Sequence, residues 1–388
     1  MIARVIRHRV SQHCASHRCT SQCHASHCRA SHCRASQCHG SCSDTDHYRF
    51  RPLRLVAALT ALGLVLSACA VPDFTPRNDA LSIPRDSATG IPLPAGARVE
   101  KAGTRQGTEV EEYALRGSLK PDGRTAAERI PSIVERGYLI VGIQQSQNLL
   151  SFRDPTTGQL SGFEVDLAHE IAEDIFGDRN AVDFRFVESQ HRVHTLSTGK
   201  VDFLLSTLTI TPERQQEVEF STPYLSTNTR LLVNRNSEIN RLEDLAARTV
   251  CVTDNSTGIN LARLHSPQAD ILKAVTWADC LYAMQHNQAD AILVDDVILS
   301  GLEIQDPYTE IVGPAVDSDI YGVGMPKPAR SAHADEIAEA EGLVRQVNST
   351  LERIRTDGTW WELFRHWFAG RLPTAGPPPL HYRPEDGE

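Results

Sequence analysis

Residues 200–214 read Lys-Val-Asp-Phe-Leu-Leu-Ser-Thr-Leu-Thr-Ile-Thr-Pro-Glu-Arg, a sequence that joins a strand pattern to a helix start. The apolar run 201–205 predicts a buried strand. Thr207, Thr209 and Thr211 then occupy every second position, so in extended backbone their side chains lie on one face. The segment therefore predicts a row of hydroxyl groups at the carboxyl end of a strand, directly before a helix.

Arg214 stands at a position of this helix where a cation is unusual. Thr211 is a favourable N-cap residue and Pro212 suits the first helical position, which places Arg214 third. A positive charge in the first turn opposes the helix dipole. One explanation is a bound anion, held by the free N–H groups, the hydroxyls and the guanidinium together. The alternative is a surface arginine that pairs with Glu217 on the next turn.

The segment Ser189-Gln-His-Arg192 repeats this arrangement. Val193 and Leu196 follow at helical spacing, so Ser189 is predicted to be an N-cap with Arg192 again at the third position. Two such arginines within one short segment favour the anion interpretation. They indicate either two anionic groups or one ligand that carries two carboxylates.

Several motifs, taken in order, resemble one protein family. The run STLTITPERQQEVEFSTPY (206–224) follows GFEVDLAHEIA (162–172) and precedes CVTDNSTG (251–258) and DAILVDD (290–296). This series is similar to the amino-acid-binding family of bacterial extracellular solute-binding proteins, which serve ABC importers, and it covers roughly residues 126–370. The resemblance implies an α/β fold of the type II periplasmic-binding-protein kind, with two lobes, a hinge and a ligand cleft.

The resemblance also implies which residues bind the ligand. Those that would contact the main chain of an amino acid are Thr207, Thr209, Arg214, Ser256, Thr257 and Asp295. Arg214 would clamp the α-carboxylate with the hydroxyls, and Asp295 would hold the α-ammonium group. Ordinary helix capping is the alternative role for Ser256 and Thr257, and Asp296 is the alternative partner for the ammonium group.

The choice of amino acid rests on Ser189, Arg192 and Thr207. Their spacing resembles the glutamate/aspartate-binding members, in which the matching residues hold the side-chain carboxylate, so glutamate or aspartate is the predicted ligand. The segment 144–152 departs from the family pattern, since many relatives place an acidic or aromatic residue there and this chain has Gln147 and Asn148. Glutamine accordingly remains an alternative ligand.

Composition and motif content argue against several other functions. The 388 residues, 40% hydrophobic and 23% charged, suffice for one or two globular domains. The net charge of −10 argues against a nucleic acid partner. The sequence has no nucleophile–base motif, Walker loop or zinc-ligand spacing, so we predict no enzyme and no cofactor or metal. A dehydratase-like enzyme and a sensory or cell-wall interaction lipoprotein are the alternatives on this fold.

Residues 1–69 are predicted to lie outside the folded body. The seven cysteines from Cys14 to Cys42 belong to a Cys/His repeat without large apolar residues, so we predict that 1–48 is unstructured. Soft-metal binding and a translated DNA repeat are its two interpretations. Residues 49–69 have the charge and apolar pattern of an export signal and resemble a lipoprotein signal peptide that ends at Cys69. Cys69 would be lipidated, with a plain membrane anchor as the alternative.

Beyond a predicted tether at 70–124, strands alternate with helices, which favours a mainly parallel sheet with its ligand at the carboxyl ends of the strands. We predict a first lobe at 125–226 and 322–371, a second lobe at 227–321 and a disordered tail at 372–388. The chain is expected to be a lipid-anchored monomer on the extracellular face of the cytoplasmic membrane. Its partners would be an amino acid and the ABC permease subunits.

Cys251 and Cys280 are predicted to form a disulfide. They are the only cysteines of the predicted folded body. Exported proteins meet oxidising conditions, and one of these cysteines lies in a predicted strand while the other closes the approach to a helix of the same lobe.

Overall fold

The computed structural model describes residues 90–109, 115–329, 331–373 and 376–385. Its strands are β1 (Arg98–Glu100), β2 (Leu139–Ile143), β3 (Ser146–Gln147), β4 (Ser151–Arg153), β5 (Leu160–Ser161), β6 (Val182–Phe186), β7 (Phe203–Leu205), β8 (Val218–Phe220), β9 (Leu225–Asn234), β10 (Thr249–Thr253), β11 (Asp270–Ala274), β12 (Ala291–Asp295), β13 (Thr309–Tyr321) and β14 (Gly324–Pro326). Its α-helices are α1 (Ala126–Arg129), α2 (Pro131–Arg136), α3 (Phe163–Phe176), α4 (Arg192–Ser197), α5 (Arg214–Glu217), α6 (Gly258–His265), α7 (Trp277–Gln285), α8 (Asp296–Gln305), α9 (Ala334–Thr356) and α10 (Thr359–Phe368). None of the helices in these ranges is both long and apolar enough to cross a membrane.

A five-stranded sheet has the strand order β6-β2-β7-β14-β8. β2 pairs in parallel with β6 and with β7, whereas β14 is antiparallel to β7 and β8. Its apolar strands are covered by helices on both faces, and Val141 and Phe203 are fully buried. The predicted strand at 201–205 is confirmed as β7, so the hydroxyl-bearing residues follow the carboxyl end of a central strand.

A six-stranded sheet has the order β1-β11-β10-β12-β9-β13. β10 pairs in parallel with β11 and β12, and β9 runs antiparallel to both β12 and β13. β10 and β12 carry the motifs CVTDNSTG and DAILVDD. Their carboxyl ends therefore lie side by side at one edge of the sheet, which is where ligands of such sheets bind.

The chain passes between the two sheets three times, at β1–β2, at β8–β9 and at β13–β14. β9 and β13 pair along most of their length, with a register shift between Val312 and Asp317. These paired strands are the connection expected of a hinge, since a hinge is formed by a few residues at the ends of elements. The lobe boundaries at 226 and 321 stay a prediction.

The aromatic residues of α10 form part of the core. Trp360 and Phe368 are buried, and the Trp360 indole nitrogen donates to the carbonyl of Tyr224 at 2.9 Å. Phe163 at the start of α3 packs against both rings. This aromatic stripe is therefore core packing.

Two predicted flexible segments are wrong in part. The tether was predicted to reach residue 124, but β1 forms an edge strand of the six-stranded sheet, and Glu100 pairs with Arg263 and Lys273 at 2.7 Å each. The tail was predicted to be disordered, but Tyr382 forms a bridge with Ser118, and Glu385 pairs with Arg345 at 2.8 Å. Backbone pairing and ion pairs, rather than apolar faces, hold both segments against the fold. Neither segment therefore shows apolar periodicity in the sequence.

Residues 126–136 form two short helices, because α1 ends at Arg129 and Pro131 begins α2. The remaining predictions concern the cysteines and the N-terminal region. The sulfur atoms of Cys251 on β10 and Cys280 on α7 are 2.01 Å apart, and both residues are buried. The cysteine repeat, the predicted signal peptide and Cys69 lie outside the described residues.

Candidate ligand-binding site

A small polar cavity lies between the carboxyl ends of strands from both sheets. Its lining residues are Ser189, Arg192, Thr207, Thr209, Arg214, Thr229, Thr253, Ser256, Thr257, Gly258, Trp277, Val294, Asp295 and Ile298. The structure therefore brings together every residue that the sequence predicted to contact the ligand. Trp277 and Ile298 add apolar walls to the cavity, and the sequence did not predict these two residues as part of the site.

Thr207 presents its hydroxyl from an unusual backbone conformation. Its φ angle is 45°, a left-handed value that is rare for a β-branched residue and costs about 1–3 kcal/mol. The Thr207 N–H donates to Oε1 of Glu164 at 2.7 Å, and the Tyr224 hydroxyl donates to the same oxygen at 2.5 Å. These contacts hold the turn after β7 in place.

Glu164 is a functional candidate that sequence reasoning missed. It is fully buried, and burial raises the pKa of its carboxyl group. Its Oε2 atom has no hydrogen-bond partner within the described part of the chain. Gly162 allows this placement, because a Cβ atom there would lie 2.1 Å from the Leu150 carbonyl oxygen. The sequence offered only a weak signal, because Glu164 is one of two acidic residues in the first turn of α3, the other being Asp166.

Arg192 begins α4 instead of occupying its third position. A 3-10 turn over Ser189–His191 precedes the helix, and the His191 N–H bonds to the carbonyl of Glu188. The predicted N-cap role of Ser189 is wrong, because this turn satisfies the backbone without the serine side chain. The Ser189 hydroxyl instead accepts from Nε2 of Gln144 at 3.3 Å.

The Arg192 side chain is 5% exposed and is held by backbone carbonyls. Nε donates to Ser189 at 3.0 Å and Nη1 donates to Ser206 at 2.9 Å. Burial, followed by the charge of Arg214, lowers the pKa of Arg192 to about 9, so the group is cationic at neutral pH. Nη2 has no hydrogen-bond partner among the described residues and is available to a ligand.

Arg214 reaches across the cavity to the other sheet. Nη1 donates to the carbonyl of Thr209 at 2.9 Å, and Nη2 donates to that of Asn255 at 3.1 Å. The helix begins at Arg214 with Glu213 as N-cap, later than predicted, although the Thr211 hydroxyl accepts the Arg214 N–H at 3.2 Å. Because the side chain points into the cavity, the alternative of a surface arginine is wrong.

The two neighbouring aspartates at the end of β12 point in different directions. Asp295 lines the cavity and accepts hydrogen bonds from the hydroxyls of Thr229, at 3.0 Å, and of Tyr321. Asp296 instead accepts from the Thr227 hydroxyl at 2.7 Å and from the Asn228 side chain at 3.3 Å. Burial raises the pKa of Asp295, while the Tyr321 hydrogen bond opposes this rise.

Hydroxyl groups lie beside the N-terminus of α6. The Ser256 hydroxyl donates to the carbonyl of Thr253 at 2.7 Å, and no side chain caps the helix. Thr257 occupies the N-cap position of α6, but neither its hydroxyl nor that of Ser256 makes a capping hydrogen bond. The Thr253 hydroxyl is buried without a partner in the described chain. The free N–H groups and hydroxyls at this end provide donors for an anion.

The segment 144–152 contacts two residues that line the cavity, Ser189 and Thr207. β3 and β4 of this segment form a small antiparallel ribbon with β5. Gln147 Nε2 donates to the Thr207 hydroxyl at 3.4 Å. The residue of this segment that contacts the Thr207 hydroxyl is therefore an amide and not a charged side chain.

Two sheets with a polar cavity between their strand ends are the arrangement of the type II periplasmic-binding-protein fold. A mutant of ArgBP from T. maritima matches 62% of this chain and 99% of its own, with 27% identity and a TM-score of 0.55. The chain belongs to the bacterial extracellular solute-binding proteins, family 3, whose family model matches residues 139–370.

Curated relatives agree with this membership. The glutamine-binding protein of Geobacillus stearothermophilus is 33% identical over 55% of this chain and 82% of its own length. The glutamate-binding protein GluB of Corynebacterium efficiens is 28% identical over 58% of this chain and 77% of its own. The chain is therefore a solute-binding component of an ABC amino-acid importer.

Proposed function

We propose that the cavity binds glutamate, and that the protein delivers it to an ABC permease. The observation that carries this proposal is the presence of two guanidinium groups, Arg192 and Arg214, in one cavity with Asp295. Neither arginine forms a salt bridge within the described residues. Both side chains donate to backbone carbonyls instead. A glutamate ligand has two carboxylates and one ammonium group, which matches two cations and one anion.

The electrostatic balance supports an anionic ligand. The charge of Arg214 lowers the pKa of Arg192, which means that the two cations repel each other. An anion between them relieves this repulsion and uses the Arg192 Nη2 atom, which has no partner among the described residues. Arg214, with the hydroxyls near α6, would hold the α-carboxylate, while Arg192 with Ser189 and Thr207 would hold the side-chain carboxylate.

Glutamine is a second candidate, favoured by a specific observation. The carboxyl group of Glu164 acts on Arg192 from behind the cavity and stabilises its positive charge. Because Glu164 already stabilises the positive charge of Arg192, this arginine does not require a side-chain carboxylate on the ligand. The amide groups of Gln144 and Gln147 contact the Ser189 and Thr207 hydroxyls that line the cavity. The protein from Geobacillus stearothermophilus carries glutamine in its name.

Calorimetric titration of the purified protein against the twenty amino acids tests the proposal. We expect the tightest binding for glutamate, weaker binding for aspartate and glutamine, and no binding of cationic amino acids. Tighter binding of glutamine than of glutamate would replace the proposed ligand. If no amino acid binds, and permease and ATPase genes are absent beside this gene, a sensory or cell-wall role is the better interpretation.

We infer that the protein is anchored to the membrane by lipid on Cys69, which would be the first residue of the mature chain. The hydrophobic segment before it is too short for a span of about twenty residues and ends in small residues. The expected result is that the membrane-extracted protein begins with a lipid-modified Cys69. Mass spectrometry checks this, and recovery of a peptide from residues 14–42 contradicts it.

We propose that Cys251 and Cys280 are oxidised in the exported protein. Both are buried in the six-stranded half of the molecule, and they are 29 residues apart in sequence. A loop of this length contributes about 3–4 kcal/mol to the free energy of unfolding in the loop-entropy model. Denatured, unreduced protein should therefore show no free thiol from this pair. After reduction, two reactive thiols should appear. Two free thiols before reduction contradict the pairing.

A further inference from the structure

A second buried carboxyl group lies beside Asp295. Asp319 on β13 is 8% exposed and Asp295 is 5% exposed. The Thr229 hydroxyl is 3.0 Å from Oδ1 of Asp295 and 3.4 Å from Oδ2 of Asp319. A hydroxyl has one proton to donate, so it can serve only one of these carboxylates at a time. The two groups therefore compete for a shared donor.

In the part of the chain that the structure describes, no cation is paired with either carboxylate. Within the described residues, neither carboxylate forms a salt bridge, and the nearby guanidinium of Arg214 donates to the carbonyls of Thr209 and Asn255 instead. Two adjacent buried carboxylates without an ion pair cannot both be ionised at low cost, and one proton shared between them removes the repulsion.

The other charged and titratable groups around the pair do not change this balance. Asp296 at the start of α8 and Asp317 on β13 add negative charge, whereas Arg214 favours the ionised form. The Tyr321 hydroxyl donates to Asp295. Burial, followed by the charge of Asp295, raises the pKa of Asp319 to about 8.

The strand pairing explains why Asp319 lies here. β13 is an edge strand along β9, and its register shifts between Val312 and Asp317. A bulge of this kind redirects the side chains that follow it. The strand then runs to Tyr321, so that Asp319 and Tyr321 both face Asp295 from the connection between the two halves.

We propose that Asp295 and Asp319 hold one proton between them in the empty protein, and that a ligand ammonium group expels this proton to solvent when it binds Asp295. Asp319 is then a positioning residue that makes amino-acid capture depend on pH. This inference rests on the proposed function, because it requires a ligand with an ammonium group. The ammonium N–H groups donate to Asp295, and the displaced proton leaves as a solvent proton.

The sign of the pH dependence follows from linkage. An opposite charge within about 4–6 Å lowers the pKa of a carboxyl group by about 1–3 units, so the bound pair releases a proton that the free pair retains near pH 7. Affinity therefore rises with pH between the pKa of the bound pair and that of the free pair. The rise is at most about tenfold per pH unit for one released proton.

Calorimetry with L-glutamate and L-glutamine tests the proposal on Asp319→Asn, with Asp335→Asn as matched control. Asp335 lies in the first turn of α9 and is exposed. Titrations near pH 7 in buffers of different ionisation enthalpy count the released protons. We expect close to one proton for the parent and for Asp335→Asn, and close to none for Asp319→Asn. The affinity of Asp319→Asn should vary little with pH between about 6 and 8. Equal proton release in the parent and in Asp319→Asn overturns the proposal.

A ligand-free measurement separates this inference from the proposed function. Carbon-detected NMR of aspartate-labelled protein follows the carboxyl titrations, and we expect one that occurs well above the normal aspartate range and is lost in Asp319→Asn. Absence of this titration overturns the shared proton even if glutamate binds. Its presence together with no binding of any amino acid supports the proton pair and contradicts the proposed function.

Discussion

Replacing Asp295 by alanine is expected to abolish amino-acid binding while the protein remains folded. The carboxylate lines the cavity and is the proposed partner of the α-ammonium group. Removing one partner of a buried charge pair costs about 2–5 kcal/mol, or about thirtyfold to several thousandfold in affinity. Folding should survive, because the change also removes one of two neighbouring buried carboxylates. Calorimetric titration measures the affinity, and thermal unfolding followed by circular dichroism measures the stability.

Asp296 provides the matched control, since its removal deletes the same charge one residue away. Its side chain accepts hydrogen bonds from Thr227 and Asn228 on β9 and does not line the cavity. Asp296→Ala should therefore lower the free energy of unfolding by about 1–3 kcal/mol, because buried donors lose their acceptor, and should leave affinity largely unchanged. If Asp295→Ala binds normally and Asp296→Ala does not, the ammonium role belongs to Asp296.

Replacing Arg192 by glutamine is expected to cripple glutamate binding and to weaken glutamine binding much less. In the proposed complex, the guanidinium pairs with the side-chain carboxylate of glutamate, and glutamine has no charge at that position. The loss for glutamate should be about 2–5 kcal/mol, or about thirtyfold to several thousandfold. The ratio of the two affinities, measured by calorimetry for parent and variant, reports the effect independently of small changes in stability.

Two further variants distinguish a direct contact from a general charge effect. Arg214→Ala should weaken glutamate and glutamine alike, because this arginine acts on the α-carboxylate that both possess. Arg185→Gln removes an exposed cation of β6, whose side chain bonds to Asp183 and the Lys200 carbonyl, and should leave both affinities unchanged. If Arg192→Gln binds glutamate as the parent does, the acidic-ligand proposal is wrong.

Local sequence patterns predicted the residues of the cavity better than their contacts. β7, β10 and β12 were predicted because buried strands of a parallel sheet are continuous apolar runs, and ligand groups follow their carboxyl ends. The N-cap role of Ser189 failed because a cap depends on the backbone angles of one turn. Serine next to a helical pattern does not distinguish an α-helical start from a 3-10 turn.

Glu164, Trp277 and Asp319 were out of reach for a different reason. Each contributes to the site through partners far away in sequence: Glu164 bonds to Thr207, 43 residues later, and Asp319 shares the hydroxyl of Thr229, 90 residues earlier. No periodicity records such a pairing, because hydrophobic patterns specify which face is buried and not what that face meets.

The sequence by itself determined the alternation of strands and helices, the family, and the set of polar residues gathered at the carboxyl ends of the strands. These properties follow from local residue periodicity and from motifs of fixed spacing. Only the tertiary structure decided which aspartate faces the cavity, that Arg192 is held by backbone carbonyls, and that a second carboxyl group lies behind Asp295. The physical reason is that burial and charge depend on neighbours brought together by two separate sheets, and a pair of adjacent carboxylates in a low-dielectric site behaves differently from either group alone.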